Sequence, residues 1–268
     1  MSFRSLGMKS EIVVLGDAAR IDWRQDVAVL RTPEQPDFWF GNSLIFRHRR
    51  VEPAAQIAAF RAEFPTARHI VLQWDDPQMV PDARHDALRA QGFDIEAVDV
   101  LTLSKPIQES EIPIGYDVRA LRSETDWDQL VALSHDIGVT EDGHDPDLHL
   151  GFVRDHVAAH RRAVNVGRAE WFGAFHGGTL AAALGIYVST EVARFQSVMT
   201  AAPHRRRGLC AALIPVAIRW AKSKEPDAVP VIIAMSDEPP GRIYRRAGFA
   251  LAEKQVSACR RPEKGVNA

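Results

Sequence analysis

The sequence predicts an α/β protein built from two halves, and three observations carry that prediction. Residues 105–115 combine two prolines, a glycine and a polar centre, the chemistry of a linker, because proline resists both helix and central strand. On either side of it, apolar residues recur at spacings that alternate between helix and strand. The two sides also echo each other: Leu88-Arg89-Ala90-Gln91-Gly92-Phe93 and Tyr244-Arg245-Arg246-Ala247-Gly248-Phe249 each close a helix on Gly-Phe and lead into a strand. The boundary is placed to give residues 1–110 and 111–268, with duplication as the hypothesis behind the echo. The alternative is that helix-Gly-Phe is simply a common ending.

In the first half, residues 27–30 and 38–46 read as strands, 53–64 as a helix, 69–74 as a strand, 83–90 as a helix and 95–103 as a strand. In the second, residues 116–121 alternate as a strand. Ser123, followed by Trp127, Leu130, Val131 and Ser134, predicts a capped helix. Residues 135–147 read as a polar loop. Leu148, Phe152, Val153, Val157 and Ala163 then place a helix over 148–163. Residues 171–175 and 180–188 form a hairpin across His176-Gly177-Gly178, and 192–200 a third strand. Leu209, Ala212, Leu213, Val216 and Trp220 make an apolar helical stripe, with Pro215 off it and expected to face outward and bend the helix. A buried strand at 229–235, a short helix at 239–247 ended by Gly248, and a last strand at 251–260 complete the order β-α-α-β-β-β-α-β-α-β.

Composition excludes several classes. The chain has 268 residues, 46% hydrophobic and 25% charged, enough to bury a core and far from the composition of disordered chains. No apolar run approaches the roughly 18–20 residues that cross a bilayer, so no membrane span is expected. The first ten residues lack the apolar centre of a secretory signal, which makes the cytoplasm the expected compartment. Cys210 and Cys259 stand in no CxxC pattern, so reduced thiols are expected and neither a disulfide framework nor a structural zinc or other metal site. The net charge is −2, from 33 basic and 35 acidic residues, but the second half clusters its basic side chains at Arg205–Arg207 and at Arg242, Arg245 and Arg246. With that balance, and no reading helix or aromatic-laced groove, nucleic acid is not an expected partner.

One stretch carries chemistry. Val198-Met199-Thr200 ends a strand, and Arg205-Arg206-Arg207-Gly208-Leu209-Cys210-Ala211 runs through a basic, glycine-containing turn into a helix. A helix amino terminus presents unpaired N–H groups and the positive end of a dipole, and glycine lets a phosphate approach the backbone, so the arrangement suits a diphosphate. No GxxxxGK[ST] or GxGxxG occurs, so the turn is neither a Walker loop nor a dinucleotide fingerprint. Cys210 reads as small packing, not as a nucleophile, since no base stands at a readable spacing.

The turn resembles the acetyl-CoA signature [Q/R]-x-x-G-x-[G/A] of the GCN5-related N-acetyltransferase (GNAT) superfamily, with Cys210 in the last small position. Residues 237–249 resemble the family's later motif N-x-x-A-x-x-L-Y-x-x-x-G-F, Tyr244 falling on its tyrosine, with Asp237 and Pro240 where asparagine and alanine are usual. The turn in the first half, Arg47-His48-Arg49-Arg50-Val51-Glu52-Pro53, is basic but lacks the glycine. The resemblance therefore implies two GNAT-like domains, each a mixed, mostly antiparallel sheet flanked by helices, the first a degenerate copy.

It further implies an acetyl-CoA-dependent N-acyltransferase in which an amine attacks the thioester directly. The oxyanion would be held by a backbone N–H of Val198, Met199 or Thr200, and Tyr244 would act as the acid toward the departing sulfur, a phenol being protonated at neutral pH. Many relatives carry a glutamate on the strand before the turn; here that strand offers Gln196 and Ser197, and an amide is no base. A water relay or the 135–147 loop is left to supply one, and the loop's five carboxylates suggest a small cationic amine as acceptor. The competing expectation is a catalytically silent acyl-CoA-binding or sensing module. The oligomeric state is not legible.

Overall fold

The computed structural model describes residues 1–235 and 240–262. In chain order the elements are α1 (Leu6–Leu15), β1 (Arg20–Trp23), β2 (Val27–Arg31), β3 (Ser43–Phe46), α2 (Pro53–Glu63), β4 (Ile70–Trp74), α3 (Asp86–Arg89), β5 (Asp94–Leu103), β6 (Tyr116–Ala120), α4 (Glu124–Thr140), α5 (Pro146–Asn165), β7 (Ala169–His176), β8 (Thr179–Val188), β9 (Val192–Thr200), α6 (Leu209–Lys224), β10 (Val229–Met235), α7 (Pro240–Arg246) and β11 (Phe249–Arg260). The chain divides into two compact units. One comprises the described residues of Met1–Leu101, Ile233–Gly241 and Leu251–Ala268; the other comprises Thr102–Ile232 and Arg242–Ala250.

In the first unit the strands run in the order β1-β2-β3-β4-β11-β5. β1 pairs β2, and β2 pairs β3, antiparallel; β3 and β4 are parallel, and β11 closes on β4 antiparallel. The parallel pair needs a long crossover, which α2 supplies. The core sets Phe60 of α2 on Leu72, Trp74, Val256 and Ala258, all at or near zero exposure.

The second unit repeats this logic, with the order β10-β9-β8-β7-β6. β6, β7, β8 and β9 pair antiparallel in succession, and β9 and β10 are parallel across the α6 crossover. The run β1-β2-β3-α2-β4 thus has the pairing pattern of β7-β8-β9-α6-β10, a repeat of architecture within one chain. α6 packs on β7, β8 and β9, while α4 and α5 pack on each other and on β8 and β7, respectively. Trp171, Leu184, Ile186, Leu213 and Ala217 are fully enclosed, and burial of each large apolar side chain contributes roughly 1.5–3 kcal/mol.

Two polar devices hold α4 in place. Ser123 caps it in a capping box with Asp126, whose carboxylate also accepts from both terminal nitrogens of Arg119 at 2.8 Å and from the backbone N–H groups of Arg122 and Ser123. Four donors on one carboxylate hold Asp126 well below the usual carboxylate range, the Arg119 guanidinium being the main cause.

Several expectations are corrected. Residues 38–46 are not one strand: a 3₁₀ turn covers Trp39–Gly41, because the Asn42 amide donates to the carbonyls of Gln35 and Phe38 and to Thr32 Oγ1, folding the chain before β3 begins. Residues 83–90 begin as a 3₁₀ turn capped by Asp82 and become helical only over α3. The 135–147 loop shrinks to five residues, since α4 runs on to Thr140 and Asp145 caps α5 by accepting from the N–H groups of Asp147 and Leu148. Pro215 is buried, not outward, with Ile214, Ala217 and Ile218: the enclosed face of α6 is wider than the sequence stripe, and a residue without an N–H packs there at little polar cost. Among the described residues no helix is long and apolar enough to cross a membrane.

Candidate functional site

The site begins where β9 bends. Ala183 stands opposite Met199 but Gly185 opposite Gln196, so two residues of β9 face one of β8, and Ser197 at the bulge has φ +50. The parallel pairs between β9 and β10 run only over Val192–Arg194. Beyond them, Phe195 to Thr200 carry backbone groups that β10 does not take up, half-buried from Gln196 onward. Val198, Met199 and Thr200 lie on this stretch.

The chain then turns into α6. A 3₁₀ turn covers Ala202–His204, Arg206 takes φ +61, and Gly208 is the N-cap residue of α6 at φ +84. These left-handed residues fold the turn back onto the helix axis. No side chain caps α6, and its first intrahelical bond is Ala212 N–H to Gly208 O, so the N–H groups of Leu209, Cys210 and Ala211 point outward from a positive dipole end. Arg205 fastens the turn, its Nε donating to Thr200 O at 3.0 Å while the guanidinium pairs with Glu141. Arg206 and Arg207 are exposed, with no ion pair among the described residues, and leave their charge to the surroundings of the turn. The geometry suits an anion of phosphate type.

The corresponding turn of the first unit is closed. Glu52 is the N-cap of α2, Pro53 removes a donor, and Gln56 fills the turn by accepting from Glu52 N–H and donating to Arg50 O. Arg49 is neutralised by Asp76 at 2.5 Å.

Tyr244 of α7 is buried beside Cys210 and Arg194, and burial raises its phenol well above the ordinary value, keeping it protonated. Burial also pushes the Cys210 thiol up to about 12, which leaves it a thiol at neutral pH and removes it as a nucleophile. Asp237 lies outside the described residues.

A cavity of about 50 Å³ opens on the bulge, and no motif in the sequence marks its walls as one site. Leu130 and Ser134 come from α4, Ser197 and Met199 from β9, and one face of α5 supplies His149, Phe152, Val153, His156, Val157 and His160. These six follow i, i+3, i+4, i+7, i+8 and i+11, a helical stripe in which imidazoles replace half the apolar positions. That pattern was the available signal. The rings form a chain of contacts: His149 to Phe152 at 6.2 Å, Phe152 to His156 at 5.4 Å, His156 to His160 at 4.5 Å, and His160 stacked on Trp171 at 4.2 Å. His160 Nδ1 lies 2.8 Å from Tyr187 Oη, and burial presses the His160 pKa down to about 3. None of the five carboxylates of residues 135–147 lines the cavity. Among the described residues no group of three or more His, Cys, Asp or Glu could hold a metal ion.

Comparison with known proteins places this geometry in a class. Residues 139–249 match the acetyltransferase (GNAT) family, a span that holds α5, the bulge, the turn, α6 and Tyr244. Among solved structures, a functionally unknown conserved protein from Staphylococcus epidermidis ATCC 12228 is 12% identical with a TM-score of 0.67, over 92% of this chain and 95% of that one. A GCN5-related N-acetyltransferase from Kribbella flavida is 17% identical with a TM-score of 0.62, over 96% and 94%. A tandem GNAT protein from the clavulanic acid biosynthesis pathway is 15% identical with a TM-score of 0.55, over 93% and 85%. At these identities the likeness is one of fold. The search of curated proteins found no match. Residues 139–249 thus match the acetyltransferase (GNAT) family, and the fold of the chain is that of the GCN5-related N-acetyltransferases, tandem members included.

Proposed function

We propose that the protein is an acyl-CoA-dependent N-acyltransferase that moves an acetyl group from acetyl-CoA to a small amine by direct attack. The observation that carries this is the uncapped amino end of α6, opened by Gly208 at positive φ directly after a strand whose own edge is unpaired. The diphosphate of the donor fits the N–H groups of Leu209, Cys210 and Ala211 with Arg206 and Arg207 alongside, while Arg205 and Gly208 shape the turn. The exposed edge at Val198, Met199 and Thr200 suits the amide-bearing arm and offers an N–H to the carbonyl oxygen. Asp237 belongs to the same proposed set by its place in the motif.

In the reaction the amine nitrogen forms a bond to the carbonyl carbon, the carbon–sulfur bond breaks, and the sulfur leaves with the electron pair. Tyr244, kept protonated by its burial, gives that sulfur a proton. The first unit serves as a degenerate copy without a phosphate turn of its own. Cys210 and Cys259, both free thiols, are compatible with work in the cytoplasm. The test is release of free CoA from acetyl-CoA on addition of amines. Amine-dependent release supports the reading, and no release with any amine, despite bound acetyl-CoA, refutes it.

A further inference from the structure

We propose that His156 is the general base of this transfer, taking a proton from the acceptor amine in the cavity between α4, α5 and the β9 bulge, and that the acceptor carries its amine on an apolar or aromatic body. The proposal rests on the acyltransferase reading and names the group that the strand before the turn does not supply.

The assignment follows by comparing the side chains that share the cavity. Only imidazoles among them can accept a proton at neutral pH; the hydroxyls of Ser134 and Ser197 cannot. His160 is enclosed, held by Tyr187 and depressed to about 3, too weak a base and out of reach of solvent. His149 has its Nδ1 engaged 3.3 Å from His135 Nδ1 and is stacked on His144 at 4.7 Å. His156 alone has both nitrogens without a hydrogen-bond partner among the described residues, its ring steadied by Phe152 on one side and His160 on the other. It lines the cavity yet keeps an edge in solvent, so a proton taken on one nitrogen has an exit from the other. Burial of the ring face lowers its pKa, which keeps it neutral at pH 7. The titratable ring in contact with it is His160, itself bonded to Tyr187 of β8; His149 shares the cavity wall and touches His135 of α4, Asp155 is its neighbour on α5, and no carboxylate lines the cavity.

The walls also describe the acceptor. Leu130, Val153, Val157 and Met199 are apolar, no lining residue is acidic, and Phe152 at the mouth is 62% exposed. Such a site holds a hydrocarbon or aromatic body and gives a polycation no counter-charge. The protons balance as follows: the ammonium group loses one proton through His156 to solvent, the free amine attacks, and the second proton leaving nitrogen replaces the one Tyr244 gives to the sulfur.

The experiment measures free CoA from acetyl-CoA with 2-phenylethylamine, hexylamine or spermidine, for wild type, His156→Gln and Tyr187→Phe, across pH 5–9. Wild type should favour the first two amines over spermidine by tenfold or more in kcat/KM, with an acid limb in kcat. His156→Gln should lose about a hundredfold in kcat, within the range general bases contribute, and lose the limb, while acetyl-CoA still raises its thermal midpoint. Tyr187→Phe, a positioning change acting through His160, should move the limb without abolishing it. A His156→Gln enzyme within threefold of wild type, or with the same limb, overturns the base assignment while leaving the acyltransferase reading intact. A preference for spermidine overturns the acceptor class. No release with any amine by wild type that binds acetyl-CoA removes the acyltransferase reading and this inference with it.

Discussion

Gly208 offers a prediction whose size follows from the backbone alone. Its φ of +84 and ψ of 6 place it in the left-handed region, where a residue bearing a Cβ is strained by about 1–2 kcal/mol. Space is not the obstacle, because a Cβ built there would meet nothing nearer than Pro113 Cγ at 3.9 Å, an ordinary contact. Gly208→Ala should therefore cost the backbone term and little else. For a chain of this size each kcal/mol lowers the midpoint by about 2–4 °C, so the fall should be roughly 2–8 °C. Gly208→Asn is the control: asparagine tolerates the left-handed region better than alanine, so it should retain more of the midpoint despite its larger side chain. Scanning calorimetry of the three proteins decides the matter. An alanine variant as stable as wild type, or an asparagine variant less stable than alanine, would refute the claim that conformation and not space selects glycine at the entrance to α6.

Other expectations rest on separate parts of the second unit. Asp126→Asn should lose about 1–3 kcal/mol at pH 7, because two backbone N–H groups and a half-exposed guanidinium lose a charged acceptor. Since the pKa of Asp126 is depressed in the fold, its stabilisation is present in full above the ordinary value of 3.8 and fades as pH falls through the lower folded value. Chemical denaturation of wild type and variant should accordingly converge in strong acid, and a gap that persists there would count against the ion pair. Gly185→Ala would set a Cβ within 2.2–2.6 Å of three indole carbons of Trp171, an overpacking worth about 1–3 kcal/mol, and a wild-type midpoint in that variant would contradict the packing described. Tyr244→Phe should bind acetyl-CoA as wild type does and turn over more slowly, and unchanged kcat would take Tyr244 out of the mechanism.

The parts of the molecule written in local chemistry were legible in the sequence. The turn before α6 announces itself through Gly208 and its basic neighbours, and Ser123 with Asp126 marks the start of α4, because caps and left-handed turns are set by the residues at the spot. What escaped was set by distant partners. α1 is apolar on several sides, so no single stripe marks it; Met8, Ile12 and Leu15 pack on Ala28, Leu30 and Ile45, and Ser5 caps it while its hydroxyl donates to Glu253 at 2.6 Å. The bulge at Ser197 exists only as a mismatch with β8, which no single strand reveals. The histidine stripe of α5 shows only in spacing, because apolar periodicity marks Val153 and Val157 and leaves out His149, His156 and His160. Of the carboxylates of 135–147, Asp145 serves to cap α5 and Glu141 to pair with Arg205, roles set by partners that the loop's own composition does not name.

The central claim is that the amino end of α6 holds the diphosphate of an acyl-CoA, and the most direct measurement is the thermal midpoint with and without excess acetyl-CoA, for wild type and for Gly208→Glu. Binding to the folded state alone stabilises by RT ln(1 + [L]/Kd), about 2.7 kcal/mol at a hundredfold excess over Kd. The account predicts a clear upward shift in wild type and none in the glutamate variant, whose carboxylate would stand where the phosphates sit. No shift in wild type, or an equal shift in both, would contradict it.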